Sequence, residues 1–571
     1  VSLTLTPMLC SRFLDEHEQH GRLYFILERG FERVRAGYAT GLVWSVDHWR
    51  TMLLFTGVIL LATAYLFVIL PKGFIPDEDT GQIFGNTRAP EGITFQELDR
   101  LQSRVAAIVQ ANPNVASVMS SAGQGSGGVQ GGNIGRLIIR LKPHDERSAD
   151  ANAIIQQLRR SVARVHEMQV FFQNPPAIRI GGMSSNSTYQ YVLQGEDIES
   201  LNRAAGTMEA RLKHLPGIED VDSDLELNNP QIDVTILRDQ AAALGVDAEQ
   251  IQSALYSAYG GRQISTIYKA SDEYAVLLQL APQYQQDLAA LNALYVQTRS
   301  NTLVPLSAVA KITPGVGPLQ ISHYTQLPSV TLSFNLAPGE SLGAATQSIE
   351  ELAATTLPVG VTGVFAGTAQ TFQQSMVNLP ILLVITILLI YMVLAILYEH
   401  FIHPLTILTA LPLAVVGALI SLLAFGEQLN VFSFVGLLML IGLVKKNGII
   451  MIDFAIHLRR DRNMAGREAI IEACLTRFRP IMMTTLAAIL GTLPIALGLG
   501  AGSEARRPLG IATVGGLLFS QLLTLYVTPA FYVAMERLST ALQQRRKPQA
   551  KAAGTHDIDL RNADVQRIHR D

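Results

Sequence analysis

Three charged side chains lie inside one long apolar stretch of the sequence. Residues 437–458, LLMLIGLVKKNGIIMIDFAIHL, carry Lys445, Lys446 and Asp453 among apolar neighbours. A charge at the centre of a membrane-spanning helix costs roughly 2.5–3.5 kcal/mol on insertion scales, and such residues are usually functional. Lys446 lies about 11 residues, or ~17 Å, from the arginine-rich end of this helix, too deep for its side chain to reach the surface. We therefore expect Lys446 to face the interior of a helix bundle and to meet a carboxylate there.

The chain offers no obvious partner for this lysine. Asp453 follows seven residues later, on nearly the same helix face but about 10 Å further along the axis. No other acid lies deep in an apolar stretch. Lys445 is rotated by ~100° from Lys446, so it either supports that lysine or merely touches a polar groove, and we expect Asp453 to be structural. Asn447 is predicted to form hydrogen bonds across helices.

The elements that position these residues are membrane helices. The chain has 571 residues, 49% hydrophobic and only 16% charged, whereas soluble chains are about a quarter charged. A span needs about 20 apolar residues, and six stretches qualify: 51–70, 376–398, 404–425, 431–457, 480–502 and 508–534. The formal net charge of −3 gives no indication of nucleic-acid binding, and the two cysteines define no disulfide framework. No nucleotide-binding loop is present in the sequence, so we expect no use of ATP, no enzyme activity and no cofactor.

Basic residues set the expected orientation. Arginines flank the first span at 22–50, precede the fifth at 459–479 and follow the last beyond 535. The positive-inside rule places all three flanks in the cytoplasm and residues 72–374 on the far side, although Arg506 and Arg507 argue weakly against this. Residues 15–50 are predicted to form an amphipathic helix on the inner membrane surface, with a plain cytoplasmic linker helix as the alternative. Residues 536–571 are a predicted cytoplasmic tail.

The segment 72–374 predicts an α+β portion. It contains three strand–helix–strand patterns, which fit split βαβ units of the ferredoxin-like kind, and a further subdomain inserted at 231–325. The glycine-rich loop 121–135 lacks the spacing and lysine of a phosphate-binding loop. The chain begins VSLTLTPMLCSRFL and its last span ends LLTLYVTPAFYVAMERL. This similarity predicts that residues 1–14 end the last helix of a preceding, homologous half, with chance as the alternative.

Several long motifs resemble one known family. The strings GLVKKNGIIMIDFA, RFRPIMMTTLAAILGTLPIALGLGAGSEARRPLG, YEHFIHPLTILTALPLAVVGALI and PKGFIPDEDTGQI resemble the C-terminal half of resistance-nodulation-division (RND) efflux transporters. The class is the hydrophobe/amphiphile exporters (AcrB-type), and FRPIMMTTLAA, RRPLGI and ISTIY are most similar to MdtB/MdtC-type subunits. The resemblance implies transmembrane helix 7 at 51–71 and helices 8–12 at 375–535. It also implies periplasmic porter subdomains PC1 at about 80–185 and PC2 at about 186–230 and 326–370, and a docking subdomain DC at about 231–325.

The resemblance implies a function and its partners. The function is proton-coupled efflux of drugs and other hydrophobic or amphiphilic compounds across a Gram-negative inner membrane. The implied partners are a missing N-terminal half that carries the acidic relay residues, a homo- or hetero-trimer, a periplasmic membrane-fusion adaptor and an outer-membrane channel of the TolC type. An inert, truncated remnant is the alternative. A pure docking protein is disfavoured by the intramembrane charges, and heavy-metal efflux by the scattered methionines.

The resemblance also implies site residues. The proton relay comprises Lys446, Thr484, Arg477 and Asn447, with Lys445 and Asp453 in possible support. Thr484 is otherwise a packing residue bonded to its own helix, and Arg477 a positive-inside anchor. The substrate pocket is expected at Phe171, Phe172 and Gln173, under a loop that contains Gly125 and Gly127, with a core strand as the equal alternative. Gln173 replaces a phenylalanine of the family pattern, which implies an altered substrate preference.

Overall fold

The computed structural model describes residues 4–13, 22–123, 132–175, 180–182, 185–285, 288–500 and 502–546. Gly125 and Gly127 of the expected pocket loop lie outside these residues. The helices are α1 Leu5–Phe13, α2 Arg22–Asp47, α3 Trp49–Ile69, α4 Phe95–Gln110, α5 Ala151–Val162, α6 Ile198–Leu212, α7 Arg238–Ala243, α8 Ala248–Tyr259, α9 Leu288–Asn292, α10 Leu342–Thr356, α11 Gly367–Tyr398, α12 Ile402–Leu408, α13 Ala410–Ala424, α14 Val431–Arg462, α15 Gly466–Ala496 and α16 Ser503–Arg546. The strands are β1 Gln82–Arg88, β2 Val115–Ala122, β3 Ile134–Leu141, β4 Gln169–Gln173, β5 Tyr189–Gly195, β6 Ile218–Ser223, β7 Asn229–Ile236, β8 Arg262–Tyr268, β9 Glu273–Leu278, β10 Tyr295–Gln297, β11 Leu303–Pro305, β12 Ala310–Gly317, β13 Ser322–Tyr324, β14 Leu327–Leu336 and β15 Val361–Ala366.

Six helical segments among the described residues are long and apolar enough to cross a membrane. They are α3, α11, the consecutive pair α12 and α13, α14, α15, and α16 as far as Leu538. All six segments are in contact, since α16 contacts α3, α12, α13, α14 and α15, and α11 contacts α12 and α14. Helix α11 starts at Gly367, directly after β15, so one continuous helix leads from the sheets into the bundle. It therefore begins before residue 375, where the sequence predicted the first span after the insert.

Helix α2 packs against protein over its C-terminal half. Tyr38, Leu42 and Val46 are buried in a core that they share with α14, α15 and α16. The Tyr38 hydroxyl donates a hydrogen bond to the Leu525 carbonyl at 3.0 Å, and its ring stacks on Phe478 at 4.7 Å. The apolar face that the sequence analysis assigned to the membrane surface is thus covered by helices in this part, because the same amphipathic pattern suits lipid and protein equally.

The first sheet comprises residues 82–173. Its strand order is β2-β3-β1-β4, and every pairing is antiparallel. Helices α4 and α5 cover it, and α4 buries Leu98, Leu101, Val105 and Val109 at the spacing of one helix face. Thr94 caps α4, since its side chain accepts from the Glu97 amide at 3.4 Å. This order, with β3 between β1 and β2, is a split βαβ arrangement.

The second sheet is assembled from two separated segments. Strands β5 and β6 precede a long insertion, and β13, β14 and β15 follow it. The order is β15-β5-β14, with β6 and β13 both pairing with β14, so the second and third sequence patterns form one unit. The insertion contains β7–β12 with α7–α9 and has its own core, which includes Val246, Ile251 and Leu306.

Two arginines join the two sheet units. Arg88 of β1 donates to the Asp222 carboxylate and to the Ser223 carbonyl, both at 2.6 Å. Arg159 of α5 pairs with Glu219 and Asp220. Because all four partners belong to β6, these ion pairs fix the position of the first unit against one strand of the second.

Candidate functional site: the polar face of α14

A capping box fixes the N-terminus of helix α14. The Ser433 amide donates to the Asn430 side chain at 2.9 Å, and the Asn430 amide donates to the Ser433 hydroxyl at 2.7 Å. Its packing against α16 is tight, since a Cβ atom added at Gly516 would lie 2.2 Å from a Leu440 methyl group. The cap and the close contact define where along α14, and on which face, each polar residue lies.

Asn447 points into the bundle and joins three helices. Its side-chain amide donates to the Thr485 hydroxyl of α15 and to the Gln521 amide oxygen of α16, each at 3.2 Å. Thr485 donates to the same Gln521 oxygen at 2.7 Å. All three residues are buried. The cross-helix bonding expected of Asn447 is present, but neither Thr485 nor Gln521 was among the expected site residues, although each is a polar residue inside an apolar span.

Lys446 lies on an open face of α14. It is exposed, whereas we expected it to be enclosed by the bundle. The reason is rotational: Asn447 takes the inward position, and the preceding residue is turned by ~100° around the helix. The same face carries further exposed residues at helical spacing, namely Val435, Met439, Gly442, Asp453 and His457. Within the described part of the chain, Lys446 has no carboxylate within 4.0 Å, because none of the salt bridges there includes it.

The remaining charged residues of α14 occupy different positions. Lys445 is half-buried at the side of the open face. Asp453 lies further along that face, where its carboxylate is 3.9 Å from the His457 Nδ1. Its side chain is 54% exposed, so it points to the open face of α14 and away from the helices that pack on the other side. Lys446 and Asp453 thus share one face, as their spacing predicts.

Thr484 and Arg477 lie on α15. The Thr484 hydroxyl donates to the Ile481 carbonyl of its own helix at 3.2 Å, which is the packing arrangement that the sequence analysis left open as an alternative. The Arg477 guanidinium lies 4.4 Å from the centre of the Phe454 ring of α14, and its buried Nε has no hydrogen-bond partner among the described residues. Arg477 therefore contacts the helix that carries Lys446 through a cation–π interaction.

The expected substrate residues follow β4. Phe171 and Phe172 are both buried, and Phe172 belongs to the core of the first sheet unit, together with Ile83 and Leu137. Phe172 and the half-buried Gln173 also border a cavity of about 400 Å³ beside the membrane helices. Phe171 points to the opposite face of the strand, because successive side chains alternate. The expected pocket trio is therefore divided between the two faces of β4.

A bundle of apolar helices with charges on one face, joined to a sheet-rich portion, defines a multi-pass membrane protein. A family model described as the AcrB/AcrD/AcrF family matches residues 1–536, and the chain belongs to this family. The resemblance to this transporter family that the sequence motifs indicated is thereby confirmed.

The relatives agree with this assignment. The chain is 42% identical to multidrug resistance protein MdtC of Escherichia coli O17:K52:H18 over 96% of its length and 53% of that protein. It is 41% identical to multidrug resistance protein MdtC of Escherichia fergusonii, with the same coverage. The crystal structure of a heavy metal efflux pump superposes with a TM-score of 0.79 at 25% identity, covering 89% of this chain and 53% of that one. The chain thus spans about half the length of the proteins it matches.

Proposed function

We propose that the chain forms part of a proton-coupled transporter that exports drugs and other amphiphilic compounds, and that Lys446 is the cation of its proton relay. The observation that carries this proposal is the position of Lys446. It lies in the middle of the 32-residue helix α14, on a face that no described helix covers. A lysine at this depth is costly unless a carboxylate or water meets it, so its retention favours a role in coupling.

The mechanism follows from a change in the charges around Lys446. In the proposed resting state, its ammonium group pairs with carboxylates of a homologous membrane half that docks on the open face of α14. When these carboxylates take up protons, the ammonium group loses its counter-ions and turns to other acceptors. The equilibrium between two arrangements of the helices then shifts by the difference in interaction free energy.

The other relay residues have supporting roles in this proposal. Asn447 is tied to α15 and α16, so it keeps Lys446 on the open face while the lysine side chain moves. Arg477 contacts α14 through Phe454, and Thr484 lies about 10 Å further along α15. We propose Lys445 and Asp453 as secondary electrostatic contributors on the same helix.

The proposed setting is the inner membrane of a Gram-negative bacterium. The sheet-rich portion faces the periplasm, because the basic flanks lie at the other end of the helices. A trimer of such subunits, identical or mixed, would meet a periplasmic adaptor and an outer-membrane channel. The named relatives, which are multidrug resistance proteins, support organic cargo. The solved heavy metal efflux pump supports the second candidate, a metal cargo, but at the lower identity of 25%.

The orientation is tested by labelling. Cys10 is exposed and Cys474 is buried, so Cys10→Ser provides the background for two variants, each of which adds one exposed cysteine. Ser271→Cys lies at the tip of the β8–β9 hairpin, and Asp461→Cys lies at the basic end of α14; both positions are exposed. A membrane-impermeant maleimide applied to spheroplasts should label the former and spare the latter. The reverse pattern would invert the topology.

The function is tested by resistance. Expressed alone in a pump-deficient strain, the chain should give no drug tolerance, whereas co-expression with a matching first half should restore it. Loss of this tolerance on collapse of the proton gradient would support coupling. Tolerance from the chain alone would contradict the two-half relay, and no tolerance from the pair would favour the inert remnant.

A further inference from the structure

Two arginines and a tryptophan meet at the basic end of the membrane helices. Trp49 and Arg50 are the first two residues of α3, and Arg537 lies near Leu538, where the apolar part of α16 ends. The guanidinium carbons of Arg50 and Arg537 lie over the Trp49 ring, 5.3 Å and 5.6 Å from its centre. The two cations are therefore separated by no more than the sum of these distances. We call these three residues the Trp49 cluster.

The charges of the Trp49 cluster are not compensated by the acids beside it in the sequence. Asp47 pairs with Arg467 at 2.8 Å, and Glu536 pairs with Arg459 at 3.1 Å. Among the residues that the structure describes, no carboxylate lies within 4.0 Å of either arginine of the cluster. Both of these arginines are exposed, and the tryptophan is half-buried. Two neighbouring cations repel each other, so the cluster is suited to an anion.

An apolar stripe of α3 begins directly beside the cluster. Side chains that recur every three or four residues lie on one face of a helix, and on the face that Arg50 begins they are all apolar or aromatic. Each of them is more than half exposed: Leu54, Val58, Leu61, Tyr65 and Val68. A lipid headgroup held by Arg50 therefore has room for its acyl chains along this stripe.

The position and composition of the cluster match those of a lipid headgroup site. Helices α3 and α16 contact each other, so the two arginines belong to two packed spans, at the end where each span begins or ends. Tryptophan is enriched at the headgroup level of membranes, and the guanidinium group forms paired hydrogen bonds with phosphate. Basic sites between membrane helices on the cytoplasmic side bind the headgroups of lipids that carry more than one phosphate.

We propose that the Trp49 cluster binds diphosphatidylglycerol, a phospholipid whose two phosphates are joined by a glycerol bridge. One phosphate accepts hydrogen bonds from Arg50 and the other from Arg537, while Trp49 positions both guanidinium groups. The acyl chains lie on the apolar stripe of α3. A lipid with a single phosphate satisfies only one of the two arginines and therefore binds less tightly. This site does not depend on the proposed export function.

The test uses Trp49 itself as the reporter. The chain contains two tryptophans, so Trp44→Phe leaves Trp49 as the single indole. This variant of the full chain is placed in nanodiscs of zwitterionic lipid with rising mole fractions of one brominated lipid: diphosphatidylglycerol, phosphatidylglycerol or the zwitterionic lipid. Bromine on the acyl chains quenches a nearby indole. We expect quenching by diphosphatidylglycerol to saturate, and to reach its half-maximum at the lowest mole fraction of the three.

Substitutions then test the two arginines. Arg50→Gln and Arg537→Gln should each raise the half-quenching mole fraction of diphosphatidylglycerol about fivefold, since each basic residue near a membrane surface contributes about this factor to the binding of anionic lipid. Arg33→Gln is the matched control, because it removes an exposed cation from the middle of α2, and it should be quenched like the parent chain. Circular dichroism identifies a misfolded variant, and added salt, which screens exposed charges, should raise the half-quenching mole fraction without any substitution.

Three results would overturn the proposal. The first is half-quenching at the same mole fraction by all three lipids, or by the two anionic lipids at equal phosphate content. The second is parental quenching in both folded arginine variants. The third is loss of quenching when a homologous first half is added, because the stripe would then be covered by protein rather than by lipid.

Discussion

Replacing Asn447 with alanine should loosen the contact among three membrane helices. The substitution removes two hydrogen bonds, one to Thr485 and one to Gln521, each of 3.2 Å. Hydrogen bonds between membrane helices contribute about 0.6 kcal/mol on average and at most about 1.7 kcal/mol. The expected loss in unfolding free energy is therefore about 1.2 kcal/mol, with an upper bound of about 3.4 kcal/mol. Thr485 and Gln521 remain bonded to each other at 2.7 Å, which keeps the loss moderate.

The assay is unfolding by SDS in mixed micelles, followed by the helical circular dichroism signal. Thr484→Ala is the matched control, because its hydroxyl is bonded within its own helix and its removal should cost less than about 0.5 kcal/mol. Thr485→Ala combined with Asn447→Ala should destabilise by less than the sum of the single changes, since both remove the bond they share.

The result that would refute this reasoning is equality between Asn447→Ala and Thr484→Ala. The network would then contribute nothing to the packing of α14, and the account of why Lys446 points to the open face would fail. Full additivity of Asn447→Ala and Thr485→Ala would likewise show that these side chains do not interact.

Further predictions concern the contacts outside the relay. Arg88→Ala should destabilise the joined sheet units by about 3–5 kcal/mol, because it leaves the buried Asp222 without its partner; thermal unfolding and limited proteolysis measure this, and an unchanged midpoint would contradict it. Phe172→Ala should cost about 3–5 kcal/mol by opening a cavity in the core, whereas Gln173→Ala should stay within about 0.5 kcal/mol; equal losses in thermal unfolding would refute the assignment of Phe172 to the core. Tyr38→Phe should cost about 0.5–1.5 kcal/mol in SDS unfolding, through loss of the hydrogen bond to α16, and parental stability would show that this bond does not hold α2.

The long apolar segments were predictable because they depend on composition alone. Each predicted span has a helix in the structure. The position of α2 was not predictable, because a face that contains Tyr38 and Leu42 suits a lipid surface as well as a protein core. The helix boundaries also differ, since α11 starts at Gly367 in direct continuation of β15, and apolarity does not mark where such a helix begins.

The candidate site was only partly predictable, because the sequence does not fix the rotation of α14 about its own axis. The depth of Lys446 showed that it needed a partner, but depth does not say which way a side chain points. Asn447 settles the rotation through residues on two other helices, and only the fold brings Thr485 and Gln521 to it. In β4, successive side chains point to opposite faces of the sheet, so Phe171 and Phe172 face different ways. The sequence of two adjacent phenylalanines does not reveal which of them faces the core.

The most direct test of the relay is proton flux through proteoliposomes that contain the chain together with a homologous first half. The measurement is substrate-dependent proton release under an imposed pH gradient, at matched protein content. The account predicts that Lys446→Ala abolishes the flux, while Lys445→Ala, one position away and half-buried, retains most of it. Undiminished flux in Lys446→Ala would contradict the assignment of the relay cation to Lys446.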